Sequence, residues 1–282
     1  MSNQFRYLLT YEQMVATLLR VHGEDEAMAR VAIGDWDRIG ALQHALLRGI
    51  GVGPGSRVVE AGCGPGRLAA QLARHEGLQY LGVDIVPQVL DYARRKVGRP
   101  DFRFVHVDRI ALPAPDESAD VVVCLGLFPH ILAEESYLYL DEARRVLRPG
   151  GRVVFSFQDY ASPNGWAVFE RNLQWVRNRA LAGTLNVFLN PGDVRLWAER
   201  LGFEVEALRE AQERFIVVDG AMAGDGLAQG VHPFGLCVGI FVKPMTVPDE
   251  AEDEQALAAA RRRAARARRE RATDAAEDDE RG

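Results

Sequence analysis

The residues best suited to chemistry form a glycine-rich turn flanked by two acids. Gly62, Gly64 and Gly66 alternate with other residues directly after a β-rich run, and a turn without side chains lets the backbone approach a ligand. Glu60 precedes the first glycine by two positions, where its charge would repel a pyrophosphate and suit an ammonium group. Asp84 ends the next β-rich run and is placed to accept hydrogen bonds from two ribose hydroxyls. The pattern predicts a nucleoside ligand with a cationic, amino-acid-like arm.

The spacing of this turn separates it from the dinucleotide fingerprint. A G-x-G-x-x-G turn would need its third glycine at position 67, where the sequence has Arg67. S-adenosylmethionine (SAM) joins a nucleoside to a cationic amino-acid arm, and it fits the ligand that the acids and glycines predict.

Short β-rich runs alternate with helical patterns on both sides of this turn. An unbroken valine run near residue 121 is typical of a strand that is buried on both faces, as in a parallel sheet. Regular strand–helix alternation predicts right-handed crossovers and a doubly wound α/β sheet. The strands are expected at 57–62, 78–84, 102–108, 119–126, 151–159, 203–208, 215–218 and 235–242, and the main helices at about 67–74, 89–97, 134–147 and 191–201.

Five motifs in this order resemble those of the class I SAM-dependent methyltransferases. They are VVEAGCGPGRLA, YLGVDIVPQVLDYARRK, FVHVDRIALPAPDESADVVV, CLGLFPHIL and LRPGGRVVFSF, within a resemblance that covers roughly residues 34–242. The resemblance implies a Rossmann-like, seven-stranded sheet with strand order 3-2-1-4-5-7-6 and an antiparallel strand 7. It also implies SAM as the cofactor and methyl transfer as the activity.

The resemblance assigns roles to the glycine turn and its acids. The backbone at Gly62, Gly64 and Gly66 would face the methionine and ribose parts of the cofactor. Glu60 would lie near the ammonium group, and Asp84 would hold the ribose hydroxyls. The alternative for Asp84 is that it caps a helix.

The resemblance also assigns contacts to the adenine and to the methionine amino group. Ile85 would pack on the adenine, the Asp108 carboxylate would accept from the adenine amino group, and the backbone N–H of Arg109 or Ile110 would reach a ring nitrogen. The Cys124 carbonyl would contact the methionine amino group. Asp108 has the alternative of forming an Asx-turn in its loop.

Candidates for the catalytic step follow the fourth and fifth expected strands. Transfer from a sulfonium needs a base only when the acceptor must lose a proton, and the unperturbed pKa of histidine, about 6.5, suits His130 to that task. The alternative is that His130 only packs or orients its loop. Asp159 and Tyr160 follow the fifth strand at the carboxyl end of the sheet, where either could orient an acceptor. No metal cluster is visible, so no metal is expected.

The chain divides into three parts. Residues 1–50 are expected to form a helical cap over the cofactor site, and residues 51–247 the methyltransferase domain. A stretch at about 160–190 is longer than a connection needs and rich in aromatic residues, which indicates either core packing or a lid-like insertion. Residues 248–282 form a tail of Ala, Arg and acidic residues, with 11 acids against eight arginines, and are expected to be disordered or a solvated helix.

Charge and composition narrow the function. The formal net charge of −6 and a body without a basic surface argue against a nucleic-acid partner and favour a small-molecule acceptor, methylated at oxygen or nitrogen. The chain has no apolar run of the roughly 20 residues that a membrane helix needs, no secretory signal and three cysteines, which indicates a reduced, cytoplasmic protein. The alternative function is a non-catalytic SAM-binding scaffold that acts through the arginine-rich tail. A homo-oligomer and the partner of the tail stay open.

Overall fold

Seven strands form the central sheet. Most of their aliphatic runs are buried on both faces, as expected for a largely parallel sheet that helices cover on each side. The computed structural model describes residues 8–178, 185–220 and 226–245, nearly all within a unit that spans Met1–Lys243. The strands are β1 Arg57–Ala61, β2 Gln79–Asp84, β3 Arg103–His106, β4 Ala119–Cys124, β5 Leu147–Phe157, β6 Glu204–Arg209, β7 Ile216–Val218, β8 Gly230–His232 and β9 Cys237–Val242. The expected tail at 248–282 lies outside the described residues.

The order of strands in the main sheet is β3-β2-β1-β4-β5-β9-β6. The first five strands are parallel to one another, and β9 runs antiparallel to both β5 and β6. Because β9 is the seventh strand of this sheet along the chain, the predicted order and the predicted antiparallel strand are confirmed. The expected strand at 215–218 is present as β7, but it pairs with β8 in a separate two-stranded sheet.

The helices begin and end at residues whose chemistry favours it. They are α1 Leu8–Val21, α2 Glu24–Val31, α3 Trp36–Gly49, α4 Arg67–Leu72, α5 Pro87–Val97, α6 Ala133–Val146, α7 Pro163–Arg177 and α8 Pro191–Arg200. Asp35 caps α3 by accepting from the backbone N–H of Arg38 at 2.8 Å, and the Ser162 hydroxyl caps α7 in the same way. Pro87 opens α5, and Gly98 closes it in the left-handed conformation.

The alternation of side chains along β4 divides the core into two layers. Val121 and Val123 pack in the cluster built with α3, α4 and α5, whereas Val122 and Cys124 pack in the cluster built with α6 and α8. All three cysteines are buried and free. Among the described helices, none is both long and apolar enough to cross a membrane.

Candidate functional site

A cavity of about 510 Å³ opens where β1, β2 and β4 end. The carboxyl ends of neighbouring parallel strands meet at one edge of the sheet, which is where ligands bind in doubly wound folds. The turn after β1, the end of β2 and the loop after β4 form its floor, while α1, α3 and α7 contribute side chains from above the sheet edge.

Glu60 is a buried carboxyl group at the end of β1, with 3% of its surface exposed. The Tyr80 hydroxyl donates to its Oε2 atom at 2.5 Å. Burial raises the pKa of Glu60 to about 8, against the opposing effects of the Tyr80 hydrogen bond and the Arg67 charge. The group is therefore mostly protonated near neutral pH, and a cation placed beside it would favour its ionised form.

Asp84 ends β2 and faces the same cavity. Its two carboxylate oxygens accept from the backbone N–H of Gly64 and of Val86, each at 3.0 Å. Burial raises its pKa to about 6, although these backbone hydrogen bonds oppose the shift. Each oxygen retains a further lone pair, so the carboxylate is oriented and still able to accept from a ligand. Ile85, the next residue, is half-buried and also lines the cavity.

The glycines of the turn have different surroundings. Gly62 and Gly64 line the cavity, and a Cβ atom built on Gly64 would meet no atom within 4 Å. A Cβ atom on Gly66 would instead lie 3.0 Å from the Cβ of Ala93 on α5. Gly66 has a φ of 87° and precedes α4, so its role in the structure is close packing of two helices, and it does not line the cavity.

The N-terminal helices supply cavity residues that the sequence did not single out. Tyr11 and Met14 reach it from α1, and Gln43 reaches it from α3. Burial raises the pKa of the Tyr11 phenol, and the charge of nearby Asp84 adds to that shift. Gln43 is 4% exposed, and its Oε1 atom has no hydrogen-bond partner among the described residues. A buried acceptor of this kind is suited to an N–H group of a ligand.

Arg67 ties the connection between α2 and α3 to the glycine turn. Its Nη1 atom donates to the carbonyl oxygens of Ala32 and Ile33, at 2.9 and 3.0 Å. Ile33 has a φ of 52°, a conformation that a β-branched residue adopts only under constraint. Burial lowers the pKa of Arg67 to about 10, against the opposing charge of Glu60. Arg67, which stands where the dinucleotide fingerprint has its third glycine, thus holds the α2–α3 connection of the N-terminal cap.

His130 also lines the cavity, from the loop after β4. Its Nδ1 atom is 2.9 Å from the carbonyl oxygen of Leu185. Because a carbonyl only accepts, Nδ1 carries the proton, and Nε2 keeps its lone pair. Burial lowers the pKa of His130, against the opposing effect of this hydrogen bond. The buried residues Tyr139 and Gln158 line the same cavity.

Besides Gly66, several residues that the sequence analysis proposed do not line the cavity, Ile110 among them. Asp108 and Arg109 are exposed beyond the end of β3, and Cys124 is buried in the core. The Asp159 carboxylate accepts from the backbone N–H of Ser162 at 2.9 Å, next to the start of α7. Tyr160 is 51% exposed and stacks on Phe188 with ring centroids 4.3 Å apart. The geometry therefore does not support the acceptor-orienting roles of the last two.

No group of three His, Cys, Asp or Glu side chains that could hold a metal occurs among the described residues.

Comparison with known proteins agrees with the fold. Residues 59–155 match the family model described as "Methyltransferase domain". The chain is 32% identical over 145 residues to a sterol 24-C-methyltransferase of Gibberella zeae and 39% identical over 127 residues to a demethylmenaquinone methyltransferase of Deinococcus radiodurans. These matches cover 49% and 44% of this chain, and 38% and 52% of the relatives. The chain thus spans about half or less of the length of either relative.

Two solved structures share the fold at low sequence identity. A magnesium protoporphyrin IX methyltransferase from Synechocystis with bound SAH has a TM-score of 0.54 at 19% identity, covering 83% of this chain and 96% of that one. A SAM-dependent methyltransferase from Methanosarcina mazei has a TM-score of 0.53 at 15% identity, covering 71% and 98%. Residues 59–155 therefore carry a methyltransferase domain, and the two solved structures share its fold; S-adenosylmethionine is the cofactor that such a domain indicates.

Cofactor binding at pH 7 is expected to release about one proton, because the ammonium arm favours ionised Glu60 while the empty site holds it mostly protonated at a pKa of about 8. Asp84, with a pKa of about 6, is already mostly ionised at pH 7 and adds little. The ligand for the measurement is S-adenosylhomocysteine, the demethylated product, titrated calorimetrically in phosphate and in Tris. Because the two buffers take up a proton with different heats, the difference between the two binding heats gives the number of protons released.

The release should fall toward zero at pH 9, and Glu60→Gln should remove most of it at pH 7. Equal heats in the two buffers at pH 7 would show that the ligand does not ionise Glu60.

Proposed function

We propose that the chain transfers a methyl group from SAM to a hydroxyl group of a small-molecule acceptor. The observation that carries this proposal is that two buried carboxyl groups, Glu60 and Asp84, and the imidazole of His130 line one cavity. A site for the cofactor alone would not need the imidazole. Relatives named for a sterol and for demethylmenaquinone support a small acceptor.

In this proposal the residues at the strand ends bind and orient the cofactor. Glu60 pairs with the ammonium group, Asp84 accepts from the ribose hydroxyls, and Gly62 and Gly64 let the backbone approach. Bound SAM supplies a methyl group that its sulfonium centre has already activated. The protein therefore has to align the acceptor with that methyl group and exclude water, which the apolar side chains of the cavity favour.

His130 is the proposed base. Its Nδ1–H bond to Leu185 fixes the tautomer in which Nε2 can take a proton from a hydroxyl. The lowered pKa keeps the imidazole neutral near pH 7, so the base form is present without any further charge partner. The roles assigned to Asp108, Arg109 and Cys124 stay predictions about the adenine and the methionine amino group.

Replacing Asp84 with alanine is expected to weaken the binding of S-adenosylhomocysteine by about 1–3 kcal/mol, because charge-assisted hydrogen bonds to the ribose are lost. Isothermal titration calorimetry measures the change. Asp91→Ala is the matched control, since Asp91 is 59% exposed on α5 and pairs with Arg94 away from the cavity. Equal affinities in all three proteins, or binding of NAD in place of S-adenosylhomocysteine, would contradict the proposed cofactor site.

A further inference from the structure

The cavity is also lined by a group of mostly apolar or donor-bearing side chains that are separate in sequence from the cofactor residues. We call it the acceptor half and define it by His130, Gln158, Val168, Arg171, Trp175 and Leu185. Both carboxylic acids among the described cavity residues, Glu60 and Asp84, belong to the cofactor half. The acceptor half therefore contains no described acid and one described cation, Arg171.

Gln158 places an unpaired donor in this half. The residue is 6% exposed, and its Nε2 atom has no hydrogen-bond partner among the described residues. Its backbone carbonyl accepts from the N–H of Leu189 at 2.8 Å, so the main chain is already held. Buried donors without a partner are rare in folded proteins, and Gln158 is one of the residues that line the cavity, so a ligand bound there can supply the missing acceptor once the amide turns toward it.

Arg171 adds a positive charge at the edge of the same space. It extends from α7, and its guanidinium lies 5.8 Å from the ring centroid of Trp175. Among the described residues it has no carboxylate within ion-pairing distance, whereas Arg145 pairs with both Glu142 and Asp116. A cation left unpaired beside an apolar cavity is suited to the anionic end of a ligand.

We propose that the acceptor is an apolar organic acid whose carboxylate is held by Arg171 and by the Gln158 amide. This inference rests on the proposed function, since it names the substrate class of the same site. The carboxylate receives one charge-assisted bond from the guanidinium and one from the buried amide, while the apolar body lies against Val168, Trp175 and Leu185. Anchoring at this end leaves the rest of the molecule free to present a hydroxyl to His130.

A matched pair of probes tests the charge preference: 4-butylbenzoate and its neutral amide, 4-butylbenzamide. Both are titrated calorimetrically into the full chain saturated with S-adenosylhomocysteine. The wild type should bind the benzoate at least about tenfold more tightly than the benzamide, because charge-assisted bonds are stronger than neutral ones. Arg171→Gln should remove this preference and leave benzamide binding unchanged. Gln158→Leu keeps a buried side chain but no donor, and it should weaken benzoate binding.

Arg177→Gln is the control for a general charge effect, because Arg177 lies on the same helix without lining the cavity. It should keep the preference of the wild type. Equal binding of the two probes, no binding of either, or an equal loss in Arg171→Gln and Arg177→Gln overturns the inference. The affinity for S-adenosylhomocysteine, measured first in each variant, separates these results from failure of the proposed function, in which the cofactor product itself does not bind.

Discussion

Replacing His130 with alanine is expected to lower kcat by about 10²- to 10⁴-fold and to leave the affinity for S-adenosylhomocysteine nearly unchanged. The imidazole lies in the acceptor half, with Nδ1 bound to the Leu185 carbonyl and Nε2 available for a proton. His130→Asn keeps a polar side chain of similar size but cannot accept the proton, so it should be about as slow. Single-turnover rates with a hydroxyl acceptor provide the measurement.

The pH dependence of the wild-type rate provides a second measure of the same base. Because the neutral imidazole is the active form, the rate should rise with pH through the pKa of His130 and then level off. Burial lowers that pKa, so the half-maximal rate should lie below pH 6.5. His106→Ala is the control, since His106 is exposed and bonds to the Ile85 carbonyl outside the cavity. A decrease in rate of less than tenfold in both His130 variants would show that this residue only packs or orients its loop.

Replacing Gly64 with valine is expected to abolish detectable binding of S-adenosylhomocysteine. A Cβ atom built at this position would meet no protein atom within 4 Å and would point into the cavity space that we assign to the cofactor. Gly64 also has a φ of 55°, which a β-branched residue adopts only with strain. Calorimetry gives the affinity, and thermal unfolding separates a blocked site from a damaged fold.

Gly98 offers a close control for that strain. It has a φ of 64°, a Cβ atom there would also meet nothing within 4 Å, and it closes α5 away from the cavity. Gly98→Val should therefore lower the unfolding temperature about as much as Gly64→Val and retain cofactor binding. If both variants bind S-adenosylhomocysteine like the wild type, the space beside Gly64 is not occupied by the cofactor.

The sheet was predictable because its signals are local. The valine run of β4, the glycine turn after β1 and the Pro–Gly pair within β5 each specify a short piece of backbone, and the order of motifs then specifies the sheet through the family resemblance. The pairing of β7 with β8 could not be predicted from such local signals. Each of these strands has three residues, too few for a period of two to stand out from the surrounding turns.

The acids and glycines at the strand ends were predictable for the same reason, and the cap side chains were not. Tyr11 and Gln43 lie on helices whose apolar spacing indicates a buried face without saying what that face covers. The sequence analysis chose Asp159 at the end of β5, whereas the residue that lines the cavity is Gln158, one position earlier. Successive side chains in an extended chain point to opposite sides, so the end of a strand can be predicted more easily than which of its last residues faces the ligand.

The two hydrogen bonds from Arg67 to the carbonyl oxygens of Ala32 and Ile33 have a consequence for turnover. Each catalytic cycle must exchange spent cofactor for fresh cofactor, and the half-buried guanidinium holds the α2–α3 connection to the glycine turn by two hydrogen bonds. Helix α1 also lines the cavity, through Tyr11 and Met14. We therefore expect a variant that weakens the packing of α1 to release the spent cofactor faster than the wild type does.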